Sequence, residues 1–152
     1  MPSRRAALRA GGLAVTTALA GCSRLPFVSS PALTLRVQNF TDQSRRVAVD
    51  LLRADGHERS EALVYARSFD LAPHDAGDDH EMREEDAVES RRYVVRATVD
   101  AGPPWEYTFY PDCTGDDQPR DELYVQATPR EGTPVPYVDY QQNVCSTDAA
   151  QY

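Results

Sequence analysis

The chain has 152 residues and a formal net charge of −8, and all 16 of its basic residues are arginine. This length favours a single domain with a core of ordinary size. A nucleic-acid-binding protein needs a basic face against the phosphates, and no stretch of this sequence supplies one. Nucleic acid is therefore excluded as an expected partner.

The first 21 residues have the pattern of an export signal. Arg4 and Arg5 precede a mildly apolar run of about ten residues, whereas a bilayer span needs about 20. The segment Ser3-Arg4-Arg5-Ala6-Ala7-Leu8 resembles the twin-arginine (Tat) signal, although Ala7 stands where that family usually has phenylalanine. The resemblance implies export by the Tat route.

The signal ends in a second motif. Leu19, Ala20, Gly21 and Cys22 are similar to the lipobox of lipoproteins. The resemblance implies cleavage before Cys22 and a lipid on its thiol, which would anchor the mature chain at the cell membrane on the extracytoplasmic face. From Cys22 onward, 13 arginines face 24 acidic residues, a net charge of −11. This acidic, lysine-free composition resembles proteins of extreme halophiles, and the chain as a whole resembles small Tat-exported lipoproteins of haloarchaeal type.

The mature chain is expected to contain a tether over residues 22–31, a folded domain over 32–146 and a tail over 147–152. Alternation of apolar and polar side chains predicts seven strands in the domain. Pro136 places the last of them at a sheet edge. The acidic segment from His74 to Arg92 is expected to be poorly ordered, apart from a turn or two of helix. The predicted strands are Leu33–Val37, Val47–Leu51, Leu63–Leu71, Tyr93–Val99, Trp105–Phe109, Leu123–Ala127 and Val135–Gln142.

This pattern predicts an all-β fold, an antiparallel β-sandwich of about seven short strands. The layout is similar to the immunoglobulin-like domains of small halophile lipoproteins. The resemblance implies an immunoglobulin-like sandwich and says little about a ligand. The segments that carry the likeness are Leu33–Asn39, Val47–Gly56, Phe69–Pro73 and Tyr93–Cys113.

Two cysteines remain once Cys22 is assigned to the lipid. Cys113 follows the aromatic strand and Cys145 follows the last strand. An even pair in an oxidising compartment favours a disulfide that ties the C-terminal segment to the sheet. A metal–thiolate pair and two free reactive thiols are the alternatives, and the spacing of neither cysteine is typical of a zinc site.

The segment from His74 to Glu81 is the candidate metal-binding loop. Its possible ligands are His74, Asp78, Asp79 and His80, which together would suit Ca²⁺ or a transition metal. The loop lacks the regular spacing of an EF-hand, and a solvated acidic loop is the competing interpretation. The same two interpretations apply to the acidic residues around Cys113, which are Asp112, Asp116, Asp117 and Asp121.

No catalytic motif is present in the sequence. The aromatic row Trp105, Tyr107 and Phe109 is expected in the core, whereas Tyr110, Tyr124, Tyr137 and Tyr140 stay open between core and a sugar- or peptide-binding face. The expected function is that of a non-enzymatic surface lipoprotein without a cofactor, serving as an interaction or accessory module for an unknown protein or small molecule. A metal- or solute-binding module that uses the His74–Glu81 loop is the alternative.

Overall fold

The computed structural model describes residues 31–55, 62–113 and 119–145. These residues form eight β-strands and one short 3₁₀ turn, Gly77–His80. The strands are β1 (Ala32–Asn39), β2 (Arg45–Arg53), β3 (Leu63–Leu71), β4 (Glu81–Glu89), β5 (Tyr93–Val99), β6 (Trp105–Phe109), β7 (Asp121–Arg130) and β8 (Thr133–Gln142).

The strands form two four-stranded sheets, with orders β4-β1-β7-β8 and β3-β2-β5-β6. The predicted all-β sandwich is confirmed, as is the edge position of β8, and β5 and β6 form a hairpin. All pairings are antiparallel except β1–β7, which is parallel. The first two strands lie in different sheets here, whereas they are neighbours in the immunoglobulin order.

The core lies between the sheets and follows from the two-residue period of the strands. One face of each central strand is apolar and fully buried, while its alternate residues point outward. Most of the core side chains are aliphatic, and Phe109 is the largest fully buried one. The fully buried aliphatic positions of the central strands include Leu33, Leu35, Val37, Val47, Val49, Leu51, Val95, Leu123 and Val125.

The prediction for the acidic segment is wrong over Glu81–Glu89, which forms strand β4 instead of a helical turn or an irregular stretch. This strand buries no residue fully, and it occupies a sheet edge beside β1. Its charged side chains suit that position, because charge on an edge strand discourages pairing with other chains. The sequence of β4 has no apolar alternation, so its strand conformation depends on the pairing with β1.

Strand directions divide the connections between two ends of the sandwich. The first, here called the disulfide end, holds Pro31, the β4–β5 turn, the segment after β6 and the segment after β8. The second, here called the loop end, holds the β1–β2, β3–β4, β5–β6 and β7–β8 connections. The described domain therefore begins at the end opposite the β1–β2, β3–β4, β5–β6 and β7–β8 connections.

Candidate functional site

The disulfide end is organised by a covalent bond and a buried carboxylate. Cys113 and Cys145 form a disulfide with Cα atoms 5.1 Å apart, as the even pair predicted. Asp121, fully buried, accepts hydrogen bonds from the backbone N–H groups of Asp112 and Cys113, each at 3.0 Å. The Ser90 hydroxyl donates to its other oxygen at 2.5 Å. Asp121 is therefore a structural residue and not part of a solvated acidic loop.

Further hydrogen bonds close this end around the segment that follows β8. The Asp112 carboxylate accepts from the backbone N–H of Cys145 at 2.7 Å. Asn143 accepts from the Glu122 N–H at 2.6 Å and donates to the Arg120 carbonyl at 2.8 Å. The predicted acidic residues Asp116 and Asp117 lie outside the described residues.

The loop end contains a buried amide that the sequence analysis missed. Asn39 is fully buried at the end of β1. Its amide nitrogen donates to the carbonyls of Gln43 at 2.8 Å and Ala72 at 2.7 Å, and its oxygen accepts from the N–H and hydroxyl of Thr41. Asn39 therefore joins the β1–β2 loop to the end of β3. The sequence did contain a signal for this residue, because Asn39 occupies the next inward-facing position after the apolar residues of β1.

Two of the proposed metal ligands meet at the same end. The ring centres of His74 and His80 are 5.0 Å apart, and the ring planes are nearly perpendicular. Phe40 packs against both, with centre-to-centre distances of 5.2 Å to His74 and 6.4 Å to His80. The Nδ1 atom of His80 is hydrogen bonded to the Gly77 carbonyl. The chain's third histidine, His57, lies outside the described residues.

The aspartates of the predicted loop do not join the histidines. Asp78 and Asp79 are exposed and lie in the 3₁₀ turn between them. Among the residues that the structure describes, no group of three or more His, Cys, Asp or Glu side chains is arranged to hold a metal ion. The sequence therefore identified the histidine pair, but the four-residue ligand set is not assembled.

The aromatic row closes the gap between the β6 and β8 edges. Phe109 is fully buried, while Trp105 and Tyr107 are half-buried and pack against the core. Tyr107 stacks on Tyr140 at 5.2 Å, and the Tyr140 hydroxyl donates to the Trp105 carbonyl at 2.7 Å. Burial raises the pKa of both tyrosines. Tyr140, which the sequence left undecided between the core and a binding face, thus packs with the core.

The sequence also left three other tyrosines undecided between the core and a binding face, and each of them is partly exposed or contacts a neighbouring side chain of this chain. Tyr124 lies on the outer face of its sheet, with the Arg36 guanidinium 5.5 Å from its ring centre. Tyr110 is 52% exposed and has Arg92 over its ring at 5.0 Å. Tyr137 contacts the Trp105 ring at 6.2 Å. These rings do not form one continuous binding platform.

An open cleft of about 480 Å³ lies where β4 bulges away from β1. Three residues of β4 oppose one of β1 at this point, and Asp86, the middle one of the three, has a left-handed φ of 54°. Ion pairs line the cleft: Arg120 with Asp86, and Arg83 with Glu122 at 3.4 Å. Its charged groups are thus already engaged with one another.

A polar network joins the other two sheet edges. Glu84 of β4 accepts hydrogen bonds from the Tyr65 hydroxyl and the Arg67 guanidinium of β3, each at 2.7 Å. Burial, followed by the bond to Glu84, raises the pKa of Tyr65. Partial burial opposes ionisation of Glu84, but the bonds from Arg67 and Tyr65 outweigh it and lower its pKa from 4.5. Arg67, which interrupts the apolar face of β3, is explained by this contact.

Replacing Glu84 with glutamine is expected to destabilise the protein by about 1 kcal/mol at pH 7, because a partly buried charged acceptor is lost. A carboxyl group whose pKa is lowered by folding stabilises the fold at every pH above the pKa that the group has in the unfolded chain. That contribution disappears as pH falls through the lowered pKa, so the wild-type and Glu84→Gln proteins should converge below pH 4.5. Urea unfolding of both proteins at pH 7 and in acid measures this.

Glu85→Gln is the matched control, since Glu85 is exposed and its ion pair with Arg83 lies on the surface. Surface pairs contribute about 0–1 kcal/mol, and this variant should stay near the lower limit. A Glu84→Gln penalty that is equal at both pH values contradicts the assigned role of the carboxylate.

Comparison with known protein families, curated proteins and solved structures finds no match for this chain. The predicted signal and lipid residues Arg4, Arg5, Leu19, Ala20, Gly21 and Cys22 lie outside the described residues, as does the predicted tail. Within the described ranges, no helix has the length and apolar character of a membrane span.

Proposed function

We propose that the protein is a Tat-exported lipoprotein of halophilic type, held at the extracytoplasmic face of the cell membrane by a lipid on Cys22. Its sandwich serves as a non-enzymatic interaction or accessory module. The motifs of residues 3–8 and 19–22 and the acidic, lysine-free composition support this assignment.

The observation that carries the proposal is the position of chain entry. The Ser90 N–H donates to the Pro31 carbonyl at 2.7 Å, and the Ser90 hydroxyl also binds buried Asp121. The tether would therefore join the sandwich at the end that carries the disulfide. An anchor at that end leaves the loop end facing away from the membrane.

The charged cleft and the packed aromatic residues support a non-enzymatic role. A general base or nucleophile must be available to a substrate, whereas the cleft charges are paired with one another. Trp105, Tyr107 and Tyr140 are used in closing the sandwich. The surfaces left for a partner are the loops and the outer sheet faces.

Replacing Cys22 with serine tests the anchor. We expect the wild-type protein in the membrane fraction and the variant either in the medium or as an uncleaved precursor. The membrane-bound mature form should fall by roughly tenfold or more, because the lipid supplies most of the membrane affinity. Cell fractionation with an antibody against the domain measures both size and location.

Ser23→Ala is the control, because it changes the neighbouring residue and leaves the lipidated thiol in place. Mature-length Cys22→Ser protein that still sediments with membranes in the wild-type amount would overturn the proposal.

A further inference from the structure

His74 and His80 are two of only three histidines in the chain, and the 3₁₀ turn brings their rings together at the loop end. Two imidazoles that share one metal ion place their ring centres roughly 4.5–5.5 Å apart, since each nitrogen lies about 2 Å from the ion. The observed separation is 5.0 Å. This separation allows both rings to bind one ion.

The second observation concerns the orientation of one ring. The Nδ1 atom of His80 is engaged by the Gly77 carbonyl, which makes Nδ1–H the donor and leaves the Nε2 lone pair free. Metal-binding histidines are oriented in this manner by a carbonyl or carboxylate. Gly77 has a φ of 82°, which lies in the left-handed region that favours glycine. The residue at this position therefore fits the turn that presents its carbonyl to His80.

Access and charge favour a cation at this point. His74 is exposed and His80 half-buried, while Phe40 supports both rings from the β1–β2 loop. The exposed carboxylates of Asp75, Asp78 and Asp79 belong to the same short loop, and their negative charge attracts cations to this end of the domain.

We propose that His74 and His80 together bind one divalent transition-metal ion, Cu²⁺ in preference to Ni²⁺ or Zn²⁺, with water completing the coordination. Imidazole suits these three metals, and Cu²⁺ forms the strongest complexes among them. Ca²⁺ and Mg²⁺ prefer oxygen ligands and are excluded by the same chemistry. The site does not depend on the anchor proposed above, so either proposal can fail alone.

Calorimetric titration of the untagged, full-length protein in detergent with Cu²⁺, Zn²⁺ and Ca²⁺ tests the proposal. Molar salt is included, because it screens the general attraction of an acidic surface for cations. We expect one equivalent of Cu²⁺ to bind, Zn²⁺ to bind more weakly and Ca²⁺ not to bind. The electron paramagnetic resonance spectrum of the Cu²⁺ complex should show coupling to two imidazole nitrogens.

Two variants identify the ligands. His80→Ala removes one imidazole, and His74→Phe removes the other while keeping an aromatic ring against Phe40. Each should weaken Cu²⁺ binding by roughly tenfold or more and remove one nitrogen from the spectrum. His57→Ala is the matched control and should bind as the wild type does.

Asp78→Asn/Asp79→Asn separates the histidine pair from the acidic loop, and it should keep one equivalent of Cu²⁺ with both nitrogens. Failure of the wild type to bind Cu²⁺ in molar salt overturns the proposal. Unchanged binding in His74→Phe and His80→Ala overturns it as well.

Discussion

Replacing Cys145 with serine is expected to lower the free energy of unfolding by about 2–4 kcal/mol, because the disulfide restricts the unfolded chain over a separation of 32 residues. The variant should still fold, since the pairing of β1 to β7 does not require the bond. Urea unfolding followed by tryptophan fluorescence measures the change. The hydrogen bond from the Cys145 N–H to Asp112 uses only backbone at position 145 and persists in the variant.

Cys113→Ser is the matched variant, and the Cys113→Ser/Cys145→Ser double variant should lose no more stability than either single one. Reduced wild-type protein should unfold at a urea concentration close to that of the variants. Peptide mapping of protein taken from cells should find the two cysteines in one cross-linked pair. Alkylation of both thiols without prior reduction would rule out the bond in the cell.

Replacing Asn39 with alanine is expected to cost about 2–4 kcal/mol, because it leaves buried polar partners without their hydrogen bonds. The amide satisfies two carbonyls and the N–H of Thr41 at a point that solvent does not reach. The substitution also removes the side chain that joins the Gln43 and Ala72 carbonyls. Chemical denaturation of the variant against the wild type measures the loss.

Gln43→Ala is the control for Asn39. The Gln43 side chain is exposed and the residue takes part in the cluster through its backbone, so this variant should stay within about 0.5 kcal/mol of the wild type. An Asn39→Ala penalty as small as that of Gln43→Ala would refute the structural role of the amide.

The sequence predicted the strands that carry their own apolar alternation. In β1, Leu33, Leu35 and Val37 are each fully buried, as their two-residue spacing implies. The edge position of β8 follows from a backbone preference that is local to Pro136. Local chemistry therefore accounts for the sandwich class.

Features created by partners in distant sequence were not predictable. β4 is a strand because its backbone pairs with β1, 43 positions away at the contact of Gln38 with Glu81. Asp121 resembled its acidic neighbours until the N–H groups of Asp112 and Cys113 were found to point at it. The two histidines are close enough in the sequence to suggest that they share a metal ion. The distance between their rings, however, is known only from the folded structure.

The parallel pairing of β1 with β7 fixes when the fold can be completed during synthesis. β2, β3, β5 and β6 form one sheet within residues 45–109, whereas β1 lies between β4 and a strand that starts at residue 121. The apolar face of β1 therefore waits for most of the chain to leave the ribosome before its sheet can close. Such long-range pairing slows folding to roughly milliseconds to seconds. Until residues 121–130 have been made, β1 can pair only along the edge that faces β4, and its other backbone edge stays without its native partner.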